Sequence, residues 1–218
     1  MNARMTSISS HCETARQHLD KTVRSLAELD TLEQHNTHLS GLDRAAFEAT
    51  VAHPLEVVIA RDSQIAVIFS ALAAEAYIND YAARRLSPAF VKAHIEKLDL
   101  QSKWVLVPQL ITGHRFPKER HAFALLRELV RARNLLVHPK SVPVVIEGIE
   151  IGQPRVNQAA QSHSDFMDSL PDLARHAVQA LGQLAKIIEE LDPQECASVM
   201  LCGARDSNAL ARDGEKDL

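Results

Sequence analysis

The chain has 218 residues, of which 46% are hydrophobic, 24% charged and 4% aromatic, with 7 glycines. That length suits one domain with appendages, and scarce glycine beside abundant Ala, Leu, Arg and Glu points to an all-α fold. The net charge of −4 neither suggests nor excludes a nucleic-acid surface, because a basic cleft can lie within an acidic envelope.

The cysteines Cys12, Cys196 and Cys202 are odd in number and widely spaced. They form no disulfide framework, which fits a reducing cytoplasm. No apolar run approaches the length of a membrane span, and the first residues have no signal-peptide core, so no membrane partner is expected.

In chain order, Ile8, Cys12, Ala15, Leu19, Val23, Leu26 and Leu29 repeat at threes and fours, predicting an amphipathic helix over Ser7–Leu32. Residues 33–54 are polar and mixed, with Gly41 and Pro54 as punctuation, a connector with one short helix over Leu42–Val51. His35 and His38 have no acidic or cysteine companions at ligand spacing. Residues 1–54 thus form an N-terminal helix and connector, 55–192 a helical domain and 193–218 a tail.

Residues 55–86 contain no Gly or Pro and predict the longest, central helix. Its apolar arc is Ile65, Ile68, Phe69, Leu72, Ala76 and Ala83, and a cluster of alanines (Ala71, Ala73, Ala74, Ala76) lets another helix approach closely. Two polar residues intrude on the arc: Asn79, and Glu75 one turn before it. Ser87 can cap a short helix over Pro88–Leu98. Gln101–Ile111 is a further apolar segment that Pro108 should end or kink, with Trp104 in the core.

The stretch Pro117–Lys140 reads as an amphipathic helix. Pro117 suits a first turn, and Pro139 forces the helix to end at or before His138. Ala122, Phe123, Leu125, Leu126, Leu129, Val130, Ala132, Leu136 and Val137 share one arc, while Arg120, Arg127, Glu128 and Arg131 lie opposite. Arg133 falls inside the apolar arc. A desolvated guanidinium is costly unless paired. Arg133 therefore snorkels to water, forms a structural ion pair, or lines a polar cleft. The economical partner is Glu75 or Asn79. Arg115, Lys118, Arg120, Arg127 and Arg131 give this helix a positive outer side, either a solvated face or a track for a phosphate backbone.

Beyond His138, Val142–Ile151 is β-branched around Glu147-Gly148 and predicts a small β-hairpin or arm. A long helix follows from Asp168 or Ser169 to Leu191, striped by Leu173, Ala177, Leu181, Leu184, Ile188 and Leu191. Pro193 ends it, and the tail begins helical. The sequence carries no phosphate-binding glycine loop, dinucleotide fingerprint, His-Glu-x-x-His, Cys-x-x-Cys or nucleophile elbow. No metal and no cofactor is expected.

The run Arg133-Asn134-Leu135-Leu136-Val137-His138 resembles the signature of the HEPN (higher eukaryotes and prokaryotes nucleotide-binding) family: an Arg, a polar residue, a few residues, then a His near the end of a core helix. Ala74–Asp80 resembles the helix that packs across it. This resemblance, over about residues 55–192, implies an up-and-down helical bundle, a homodimer and two Arg–His motifs facing one cleft. It implies a metal-independent endoribonuclease, frequently a toxin or antiphage effector, with RNA as substrate and a cognate antitoxin as partner. The alternative is a non-catalytic family member that binds a nucleotide or a partner protein. Some members carry a Tyr two residues after the His that an antitoxin modifies; here Lys140 replaces it, which argues against that control. In such a site His138 would be base or acid, Arg133 would stabilise the phosphate, and Asn134 would hold a phosphate oxygen or orient His138. Glu75 and Asn79 would support Arg133, and Arg127, Arg131 and Lys140 would contact RNA. Arg133 and His138 are roughly 140° apart on an ideal helix, so their groups converge only if the last turn deforms, or Arg133 reaches around or across a dimer.

Overall fold

The computed structural model describes residues 7–138 and 164–202, and every regular element among them is helical. The expected hairpin over 142–151, and Lys140 with it, lies outside the described residues.

Helix α1 spans Ile8–His35. It turns back through α2, Gly41–Phe47, and a π-helical turn, Glu48–Ala52, which runs straight into α3, His53–Arg85. The expected break at Pro54 is absent. A proline ring clashes with the carbonyl four residues back in an α-helix. The wider π turn, closed by His53 N–H on Glu48 O, precedes the proline and carries the chain through it. The resulting helix, Gly41–Arg85, contains an 18-residue window of mean hydropathy 1.6, long and apolar enough to pass as a membrane span. This corrects the sequence expectation. Half of that window is buried inside the protein, as any core helix would be.

Side-chain pairs fix the packing directions. His11 meets Phe69 with the two rings tilted by 60°, and His18 Nδ1 lies 2.8 Å from Asp62 Oδ1, so α1 runs antiparallel to α3. Helix α6, His121–Val137, and α7, Leu170–Leu191, are antiparallel, joined by Glu128–His176 (2.8 Å) and Arg120–Glu190 (2.5 Å). Gln64 meets Met167 while Tyr81 meets Asp192, so α7 runs parallel to α3. The long helices therefore alternate in direction, an all-α up-and-down arrangement. Ile8 and Cys12 belong to the same core as Tyr77, Leu126 and Leu184, so α1 is built into the bundle.

Helix α3 is central and is buried on the side opposite to expectation. Ser63, Ala66, Ser70, Ala73 and Ala74 are fully buried, and Ile65, Ile68, Phe69 and Leu72 only partly. Small side chains on this side, beside the fully buried Val67, Tyr77, Ile78 and Tyr81, let neighbouring helices approach closely, while Ile65, Ile68, Phe69 and Leu72 take the outer flank.

The short α4, Pro88–Phe90, follows the break at Ser87, whose Oγ accepts from Phe90 N–H as expected; a second π turn, Val91–Ile95, continues it. Asp99 caps α5, Leu100–Thr112, accepting from Ser102 N–H and Oγ–H, which holds its carboxyl below the usual range. Pro108 does not end α5. It is buried inside the helix, which closes instead at Gly113, whose φ of 77° is the left-handed cap that glycine adopts without strain. Trp104 is fully buried and stacks on Tyr77 at 5.8 Å.

The end of α3 is clasped by the loop after α7. Arg84 donates to both oxygens of Glu195 (2.9 and 2.7 Å) and to Asp80 (2.8 Å), and Arg85 reaches Asp192 at 2.8 Å. Tyr77 donates to Glu195 and Tyr81 to Asp192. These are the chain's two tyrosines. Burial first, then Glu195 for Tyr77 and Asp192 for Tyr81, push both phenols well above their ordinary range. Their contribution to stability is complete below the unfolded value of about 10 and is lost as pH rises beyond it. The expected result of an alkaline titration is a flat phenolate absorbance past pH ~10. Both tyrosines should then ionise together with loss of helical circular dichroism. A tyrosine that titrates near its ordinary value in the folded protein would contradict this.

Candidate functional site

Helix α6 opens four residues later than expected. Residues 117–120 form a turn, with Arg120 N–H on Pro117 O at 3.2 Å, and Arg120 has the extended backbone of an N-cap. The C-terminal end is as expected. Val137 is the last helical residue, and His138 leaves the helix at φ −124° and ψ 62° while its N–H still bonds Asn134 O at 3.0 Å. Pro139 accounts for this stop, because a residue before proline is driven out of the α region.

Ala122, Leu125, Leu126, Leu129 and Ala132 anchor α6 in the core, and the helix then climbs out of it. Arg133 and Leu136 are half-buried, and Leu135 and Val137 are 46% and 42% exposed. Val137 had been expected in the core.

On the exposed face Arg127, Arg131, Asn134 and His138 follow one another at spacings of three and four. At ~100° per residue they fall within a stripe about 60° wide. Arg133 is off this stripe, but its Nη1 donates to Asn134 Oδ1 at 3.0 Å, carrying the guanidinium to the stripe's edge. Arg133 has no carboxylate partner among the described residues. No hydrogen bond there joins the His138 side chain to Arg133 or Asn134.

The expected pairing of Glu75 with Arg133 is not formed. Glu75 Oε1 is 3.0 Å from Lys103 Nζ on α5. Lys103 is 2% exposed, and an ammonium so deeply buried needs a counter-charge. Glu75 is the carboxylate within its reach. Asn79 does not reach Arg133 either; its Oδ1 is buried without a protein partner, as is Trp104 Nε1.

Three polar centres were not read from the sequence: Lys103–Glu75, the Arg84–Glu195 clasp and His18–Asp62, where Thr22 also meets Ser63 at 3.3 Å. A lysine inside the apolar run QSKWVLVP was the available signal for the first; for the other two the partners lie on distant segments. Two surface hollows, one around Asp30 and Thr37, the other around Glu48 and Glu56, take in no residue of α6. Among the described residues no three His, Cys, Asp or Glu side chains gather as a metal-ligand set. Compared with family models, curated proteins and solved structures, the chain matches none.

Proposed function

We propose that this chain is a metal-independent endoribonuclease of the HEPN type, acting as a homodimer in the cytoplasm, in the role of a toxin or antiphage effector restrained by a cognate antitoxin. The observation that carries this reading is the Arg133–Asn134 hydrogen bond, which sets a guanidinium that has no carboxylate partner among the described residues beside the stripe that ends in His138. A guanidinium with no carboxylate on it keeps its forked donors for a phosphate. Arg127 and Arg131 extend the positive charge along the same face, as a phosphate backbone requires.

RNA supplies its own nucleophile, the ribose 2′-OH. In the proposed reaction His138 of one copy removes that proton, and His138 of the other protonates the leaving 5′-oxygen. Arg133 stabilises the charge on the pentavalent phosphate. Asn134 positions Arg133, the part assigned from sequence to Glu75. Two copies supply the two histidines that one step needs, and pairing turns an open helix end into a cleft.

A second reading, a non-catalytic module that binds a nucleotide or a protein, draws support from Leu135 and Val137, apolar side chains exposed beside the motif. One experiment separates the two. The purified chain is incubated with RNA in excess chelator and the product ends are analysed. The nuclease reading expects 2′,3′-cyclic phosphate and 5′-hydroxyl ends. Intact RNA at high enzyme concentration would overturn it and leave the binding module.

A further inference from the structure

The first and last described helices pack together, and each brings a cysteine into the shared core. Cys12 on α1 and Cys202 at the end of α8, Ala197–Cys202, are 2% and 5% exposed. Cys12 Sγ–H points to Met200 O at 3.8 Å, and Arg16, one turn further along α1, donates to Leu201 O at 2.8 Å. The turn Cys12–Arg16 therefore lies directly against the backbone of residues 200–201. Burial pushes the Cys12 thiol up to about 11; Arg16 pulls it down, and the neighbouring Cys202 thiol adds to the rise. Cys196, on the loop before α8, is exposed.

We propose that Cys12 and Cys202 are a redox-sensitive pair that closes to a disulfide when the surroundings become oxidising, locking α8 onto α1. The oxidant is a small-molecule disulfide such as oxidised glutathione. One protein thiolate attacks it, forming a mixed disulfide and releasing one glutathione thiolate. The second protein thiolate then attacks the protein sulfur of that mixed disulfide and releases the other glutathione. Two electrons pass from the protein thiols to the oxidant, and the two thiol protons end on the two glutathiones. Burial keeps the pair reduced and slow to react under ordinary conditions, because the thiolate is the reactive form. The bond would close a loop of roughly 190 residues, and cross-links over long loops restrict the unfolded chain most.

The test uses the full chain equilibrated in glutathione buffers from reducing to oxidising, alkylated with iodoacetamide and digested without reduction. The expected result is a linked peptide containing Cys12 and Cys202, with Cys196 alkylated, and a thermal midpoint raised by roughly 5–10 °C. Cys196→Ser should retain both effects and Cys12→Ser should lose both. The peptide map of the unmodified chain stands even if a variant fails to fold. Absence of the Cys12–Cys202 peptide in the most oxidising buffer, or its replacement by peptides linked through Cys196, would overturn the proposal.

Discussion

His138→Ala is expected to slow RNA cleavage by about two to four orders of magnitude, the usual contribution of a positioned acid or base. The fold should be untouched. The side chain is exposed, and among the described residues only the His138 backbone N–H serves the helix, through Asn134 O. Exposed truncations of this kind change stability by no more than about 0.5 kcal/mol. The measurement is a time course on labelled RNA in chelator, with thermal melts of both proteins. Undiminished cleavage by a normally folded His138→Ala protein would remove His138 from the chemistry. Arg133→Lys should also lose most activity, since an ammonium cannot reproduce the forked geometry of a guanidinium.

Glu195→Ala is expected to destabilise the protein by about 2–4 kcal/mol, more than any single exposed substitution. Glu195 is 5% exposed and holds Arg84 through two hydrogen bonds, accepts from Tyr77 and stands 3.8 Å from Arg85. Removing it takes the acceptor from the Tyr77 phenol and leaves Arg84 its Asp80 hydrogen bond but neither of its two bonds to Glu195. Breaking a buried pair typically costs about 3–5 kcal/mol; the lower figure adopted reflects the Arg84 side chain, which is 36% exposed and can turn to water. Urea unfolding at constant pH is the check. Glu195→Gln keeps the acceptor oxygen and should fall between the two. If Glu195→Ala unfolds within 0.5 kcal/mol of the parent, on the order of an ordinary surface change, the clasp does not hold α3 to the loop after α7.

The helices themselves were legible because their signals are local. The threes and fours of Ile8–Leu29 gave α1, the stripe Leu173–Leu191 gave α7, and Ser87 and Pro139 marked the ends they were read to mark. Prolines were read less well. Pro54 and Pro108 both lie within continuous helices, the first just after a π turn and the second buried inside α5. Pro117 was taken for a helix start, yet the chain first makes a turn that Arg120 closes.

Periodicity identified α3 as a helix but not its buried side. It rewards the largest apolar residues, whereas a helix hemmed in by neighbours places alanine and serine where those neighbours approach closest. The site was legible in part. Spacing set Arg127 and Arg131 opposite the apolar arc; that Asn134 and His138 join them on one exposed face came from the structure. That Arg133 would turn to Asn134 could not be read, because the carboxylate expected for it, Glu75, pairs instead with Lys103, 28 positions further along the chain.

By itself the sequence determined that the chain is helical, where most helices lie, and that the motif helix must stop at His138. Each follows from the backbone preferences of a few adjacent residues. The tertiary structure alone decided which side of α3 is core, which carboxylate neutralises Lys103, and that Arg133 meets Asn134 with no carboxylate on it among the described residues. Those outcomes depend on competition among charges and volumes brought together from distant segments, and a buried charge takes whichever counter-charge the packing places within reach.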